Sequence, residues 1–218
     1  MPRGGARPGA GRPRGSRPVV LHQAREAIPA QFPVHVTFRV RKDVPSLRNP
    51  ALLEEWKRSL ADANDRGGIR VVHYRFQDEH VHLIVEANGK DALGRGMKSI
   101  GARLARAVNR VFRRSGPVLD SRYQHRVLRT PREVRRALAF VVLGARRRRD
   151  AVTSARWFDG WREGTRGEEA ADDPREVAAP HTWLLRMGWR RHGLVDPAEA
   201  PTVPDTGGPL SETASRDA

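Results

Sequence analysis

Residues 69–86 hold two strand-length runs separated by three polar residues. Ile69 to Phe76 is rich in β-branched and aromatic side chains, and His80-Val81-His82-Leu83-Ile84-Val85-Glu86 carries apolar residues at alternate positions. The connection Gln77-Asp78-Glu79 suits an antiparallel hairpin, because a parallel return needs a crossover of a dozen or more residues. Everything else in the chain has to pack around that ribbon.

Three further segments read clearly. Val34, Val36, Phe38 and Val40 alternate with His35, Thr37, Arg39 and Arg41, the pattern of a half-buried strand. Asn49-Pro50 supplies an N-cap side chain and a first-turn proline for a helix. Leu53, Trp56, Leu60 and Ala63 share a face of that helix, and Gly67-Gly68 ends it. A longer helix over Asp91 to Arg113 has a buried stripe of Leu93, Met97, Ile100, Leu104, Val108 and Val111. After Gly116-Pro117 a short strand is expected at Gln124 to Arg129. Thr130-Pro131-Arg132-Glu133 is then a capping box that opens a helix to about Arg149, with Val134, Ala137, Leu138, Val141 and Ala145 inward. The order β-α-β-β-α-β-α predicts an α+β domain over 34–150, a ferredoxin-like split βαβ with an antiparallel sheet and an additional C-terminal helix.

The flanks differ in composition. Residues 1–18 hold five arginines among glycines and prolines, so a flexible basic arm is expected. Its Gly-Arg-Pro core, with Arg12 and Arg14, reads either as an AT-hook-like minor-groove contact or as a phosphate-binding tail. Trp157, Phe158, Trp161, Trp183, Leu184, Leu185 and Trp189 predict an extension over 151–194 that packs on the domain, with Trp157 and Trp161 as core anchors. Residues 195–218, rich in proline and acidic groups, are expected to be disordered.

Charge narrows the function. The formal net charge is +16, and only four of the 41 basic residues are lysines. Arginine forks grip phosphate at two points, so nucleic acid is the first partner to consider. Arg103, Arg106 and Arg110 on the long helix, Arg122 and Arg126 near the short strand, and Arg146 and Arg147 in a terminal run are the expected DNA contacts. The absence of cysteine excludes disulfide scaffolds, thiolate zinc sites and cysteine nucleophiles. The longest apolar run, Ala137 to Leu143, is far short of the roughly 20 residues that span a bilayer. A cytoplasmic, nucleoid-associated bacterial protein with no membrane partner is expected.

His80 and His82 point the same way on a strand, about 7 Å apart by the strand rise. The pair reads as a two-point metal seat able to activate a phosphate, or as two histidines on a solvated sheet face. Glu86 lies on the same face and reads as a metal helper or a solvated carboxylate. His125 reads as a third ligand or a phosphate contact. Tyr74 is expected in the core, with Val72 and Phe76 on its side of the pleat.

The run Phe76 to Val85, with its His-Val-His centre, resembles the signature segment of the HUH single-tyrosine transposases. Gly116-Pro117-Val118 through Arg122-Tyr123 to Arg129, followed by the capped helix, is similar to the REP-associated tyrosine transposase branch. The resemblance covers residues 34–150. It implies binding of single-stranded or hairpin DNA and a divalent metal, Mg²⁺ or Mn²⁺, on His80 and His82. It also implies nicking and rejoining through a phosphotyrosyl intermediate, without a nucleotide or other small-molecule cofactor, by a homodimer. The family's tyrosine falls at Phe140, 11 residues past Arg129, and its metal-completing amide falls at Gly144. Phenylalanine has no oxygen with which to attack phosphorus. Tyr123 then reads as a substitute nucleophile or as a base-stacking aromatic. Three functions follow: a DNA transposase, a cleavage-defective DNA-binding descendant, and an RNA-binding ferredoxin-like domain, the last lacking the paired aromatics such domains carry on their central strands.

Overall fold

The computed structural model describes residues 27–64, 68–144, 152–162 and 175–200. Elements follow in the order β1 (Val34–Arg39), α1 (Pro50–Asn64), β2 (Ile69–Phe76), β3 (His80–Ala87), α2 (Lys90–Val111), β4 (Gln124–Val127), α3 (Pro131–Val142), β5 (Val152–Thr153) and the single-turn α4 (Trp183–Arg186). The five strands form one sheet in the order β4-β1-β3-β2-β5, every pair antiparallel. The first four reproduce the split βαβ arrangement expected from the element order. The fifth was not foreseen: the Trp-rich extension adds an edge strand to β2.

Local chemistry explains the boundaries. Asn49 Oδ1 accepts the Leu52 amide at 3.1 Å, and Pro50 takes the first turn of α1, where a missing N–H is harmless. Thr130 and Glu133 form a complete capping box at α3: Thr130 Oγ1 accepts the Glu133 amide at 3.2 Å, and Glu133 Oε2 accepts the Thr130 amide at 3.0 Å. Gly68 enters β2 at φ 74°, a left-handed turn that favours glycine.

Helices cover both faces of the sheet. On one, Val34, Val36, Phe38, Val81, Leu83 and Val85 pack with Trp56 and Leu60 of α1 and with Leu93, Met97 and Leu104 of α2. On the other, Val72 and Ile84 meet Val134, Leu138 and Val141 of α3, and the extension closes over them with Phe158, Leu185 and Trp189. Strand β1 is therefore buried on both faces rather than half-buried, and His35 and Thr37, on its polar side, are only 1% and 7% exposed. Helix α3 buries every residue from Ala137 to Val142, because it sits between the sheet and the extension.

A β-bulge interrupts β2. Val71 pairs with Val85 but His73 pairs with Ile84, so the alternation resets between them. Tyr74 stays in the α1–α2 core with Phe76, whereas Val72 turns to the α3 side, against the simple two-residue period. The Tyr74 hydroxyl donates to Glu176 at 2.9 Å, and burial and that carboxylate push its pKa up.

The C-terminal segment is held further than its composition suggests. Val195 is fully buried and its amide donates to Gly160 O at 2.9 Å, while Arg135 forks onto Glu199. Residues 195–200 thus belong to the packed body, contrary to the expected disorder, because they cap the Trp161–Phe158 contact beside α3. Residues 201–218 and the arm over 1–18, with Arg12 and Arg14, lie outside the described residues, as do Arg146 and Arg147. Trp183, read as a packing residue, is 51% exposed with the Arg191 guanidinium over its ring.

Gly96 of α2 packs directly on β2. A Cβ there would collide with the branched Ile69 side chain, which is itself core. Gly96→Ala is expected to lower unfolding free energy by about 1–3 kcal/mol in urea titrations, although alanine is the better helix former. A neutral or stabilising result would mean that α2 can shift outward.

Candidate nucleic-acid site

The hairpin register builds the site. With Phe76 paired to Val81, Arg75 lies opposite His82, and on the other side Thr37 lies opposite His82 and Arg39 opposite His80. These side chains share the sheet face that α3 covers.

His80 and His82 do stand together, with ring centroids 6.1 Å apart and planes 22° from parallel. Neither lies on an open solvated face. His80 is half-buried, and His82 is 6% exposed. His82 Nδ1 meets Thr37 Oγ1 at 3.2 Å and Nε2 meets Gln77 Oε1 at 3.2 Å, a set that a neutral ring satisfies. Burial, then the neighbouring His35, His80 and Arg75, hold its pKa down at about 2. A third ring joins the pair: His35 stacks on His82 at 5.4 Å, with burial lowering its own pKa to about 4.

Helix α3 supplies the wall of the site. Phe140 is 3% exposed and presents its ring edge-on to His82 at 4.9 Å and to His35 at 6.1 Å. The position that the family resemblance gives to the nucleophile therefore faces the histidines, with a ring that carries no oxygen. Arg75 lies over that ring, its Cζ 4.8 Å from the centroid, and its Nη1 donates to the Phe140 carbonyl at 2.7 Å. Gly144 faces the same guanidinium, and a Cβ at 144 would collide with Arg75 Nε and Cζ. A cation thus fills the place expected for an amide.

The divalent Mg²⁺ or Mn²⁺ implied by the resemblance finds poor donors here. Both ions favour carboxylate and other oxygen ligands, whereas His80 and His82 offer nitrogen and Gln77 the nearest side-chain oxygen. Asp78 is engaged by Ser46 at 2.7 Å and Arg48 at 3.2 Å, and Glu79 by Arg39 at 3.9 Å. No group of three His, Asp or Glu able to hold a metal occurs among the described residues. The fixed Arg75 charge beside His82 adds repulsion. The residues present do not fit a resident Mg²⁺ or Mn²⁺.

The remaining expected site residues scatter. Tyr123 packs on the opposite face, its ring 5.9 Å from Phe38 and 6.0 Å from His125, so neither Tyr123 nor His125 is brought to the histidine pair. Glu86 is neither solvated nor near the pair. It is fully buried, accepts the His181 and Thr182 amides at 2.9 and 2.6 Å, and pairs with Arg70 at 3.0 Å. Arg103, Arg106 and Arg110 lie on α2, in the layer away from the histidines; Arg103 reaches Ser59 O, Arg110 pairs with Glu55, and Arg106 is exposed. Arg122 is exposed beside Tyr123, and Arg126 pairs with Glu133 at 2.9 Å on the α3 side.

Sequence reading missed Arg75, His35 and Gln77. The signal for Arg75 and Gln77 was present: a three-residue turn between strands sets which residue faces His82. His35 had no such signal, since its contact depends on β1 joining β3 across a helix.

The family described as "Transposase IS200 like" matches residues 30–128, a span that includes His80 and His82 and stops before α3. A solved structure described as a REP-associated tyrosine transposase bound to a REP hairpin is similar, with 13% identity. It covers 56% of this chain and 71% of its own, with a TM-score of 0.47. No curated protein matches the chain. Among the described residues, no helix is long and apolar enough to cross a membrane.

Proposed function

Residues 30–128 belong to the IS200-like transposase family, and from that premise we propose that the protein binds single-stranded and hairpin DNA without cutting it through a tyrosine. The observation that carries this reading is Phe140. It occupies the wall beside His82 and is held there by Arg75 against its ring and carbonyl. A nucleophile must lie within reach of the activated phosphate, and the only hydroxyl-bearing rings in the chain, Tyr74 and Tyr123, pack on the other face of the sheet. Tyr74 is moreover fully buried.

Binding needs none of that chemistry. The surplus of arginine supplies phosphate contacts, and their contribution is sequence-independent and salt-sensitive. The family's usual homodimer would double the contact surface, and sedimentation equilibrium tests for it.

The deciding experiment incubates the full chain with labelled hairpin and single-stranded oligonucleotides in Mn²⁺ or Mg²⁺, then runs a denaturing gel for a covalent adduct. Wild type is expected to bind both DNAs and give no adduct. Phe140→Tyr with Gly144→Asn is expected to stay inactive, because the new side chain at 144 meets the Arg75 guanidinium in place of open space. An adduct from wild type that disappears in Tyr123→Phe would make Tyr123 the nucleophile and overturn the reading.

A further inference from the structure

We propose that the cleft at the turn end of the β2–β3 hairpin is a metal-independent seat for one phosphodiester of a bound DNA strand, gripped by Arg75 and Arg48. The proposal rests on the DNA-binding reading and names the groups that would do the binding. Four observations support it.

The cleft is open, polar and of suitable size, about 470 Å³, and is lined by Arg48, Arg75, Gln77, Asp78, Glu79 and His80. Its two guanidinium groups come from separate elements, Arg75 from β2 and Arg48 from the loop before α1. Both are posed in advance of any ligand. Arg75 is oriented by the Phe140 carbonyl and ring, and Arg48, with a side chain only 16% exposed, is oriented by Asp78. Pre-set planar forks match the oxygens of a phosphodiester, and guanidinium stays protonated at any physiological pH.

The carboxylates at the rim have partners of their own: Asp78 accepts from Ser46 and pairs with Arg48, and Glu79 faces Arg39. Finally, Gly144 and Arg75 fit one another. Any side chain at 144 would displace the guanidinium, so the absence of a Cβ is what lets the cation sit against α3. Phe140, Gly144 and Arg75 thus form one arrangement, in which a fixed organic cation lies against α3 beside the histidine pair.

The test uses the full chain, a fluorescent 12-nucleotide single strand and a hairpin of the same length, with anisotropy read in EDTA and in Mn²⁺. Wild-type affinity is expected to agree within about twofold between the two conditions. Arg75→Gln is expected to bind about tenfold more weakly, with the slope of log K against log salt smaller by about 0.7, the loss of one single-strand phosphate contact. Arg75→Lys, which keeps charge but not the fork, is expected to fall between them. Thermal melts check folding, and if Arg75→Gln does not fold, Arg48→Gln is expected to give the same loss of slope. Binding that requires Mn²⁺ and vanishes in EDTA would overturn the proposal. So would wild-type affinity and slope in both Gln variants, which would leave DNA binding intact and remove only this seat. A wild-type chain that binds neither DNA would instead remove the DNA-binding reading, and the seat with it.

Discussion

Glu86→Ala is expected to lower unfolding free energy by about 3–5 kcal/mol, among the largest losses of any single substitution in the described residues. The carboxylate is fully buried at the end of β3 and serves as a junction: Arg70 pairs with it from β2, and the His181 and Thr182 amides donate to it from the segment entering α4. Removing it leaves the Arg70 charge without its partner and two amides without an acceptor. Each buried orphan costs roughly 1–3 kcal/mol. Glu86→Gln, which keeps an oxygen in place but removes the charge, is expected to lose less than half as much. Urea titration of both variants measures this. Tryptophan fluorescence should report loosening of Trp189 first, since the segment anchored by Glu86 carries it. A loss below about 1 kcal/mol for the alanine variant would mean that the extension holds itself by apolar packing alone.

Acid should unfold the protein through its buried histidines. Burial lowers His35 to about 4, His73 to about 3 and His82 to about 2, each against an ordinary value of 6.5. In the folded state these rings stay neutral, whereas the unfolded chain takes up protons as soon as pH falls below about 6.5. The unfolded state therefore binds more protons, so stability is complete above that pH and declines as pH drops toward 4. Each ring contributes a slope of about 1.4 kcal/mol per pH unit, so three together reach about 4 kcal/mol per unit. Against the 5–15 kcal/mol stability of ordinary domains, the chain is expected to be largely unfolded near pH 4–5. The carboxylates Glu133, Glu176 and Glu199, whose pKa values are lowered in the fold, add losses in the same direction at more acid pH. His35→Phe separates the two contributions. Both ring nitrogens of His35 lack a hydrogen-bond partner, and phenylalanine keeps the stack on His82. The variant should gain about 2 kcal/mol at pH 5 relative to wild type and change little at pH 7.5. Denaturant midpoints for both chains across pH 4.5–8 give the answer, and parallel curves would rule out His35 as a contributor.

The two expectations share a cause, namely that the sheet is covered on both sides. Alternation in 34–41 and 80–86 marked the strands and the α1–α2 core, and it placed His80 and His82 on one face. The capping residues Asn49-Pro50 and Thr130-Glu133 marked where two helices begin. These signals are local: each depends on a strand period of two, a helical period near 3.6, or a side chain bonding an amide three residues away.

What the chain alone determined, then, was its split βαβ order, its hairpin, its histidine pair and the lack of a hydroxyl at Phe140. The tertiary structure decided the environment of those groups. Whether His82 and Glu86 meet solvent depends on α3 and the segment through Val195 folding over the second sheet face, contacts that join residues about 100 positions apart. The β-bulge at Val71–His73 redirected Val72, and the packing of Phe38 carried Tyr123 away from the histidines. Arg75 came to Phe140 and Gly144 only when β2 and α3 met. Such placements arise from the pairing of distant surfaces, and no periodicity within a single segment encodes them.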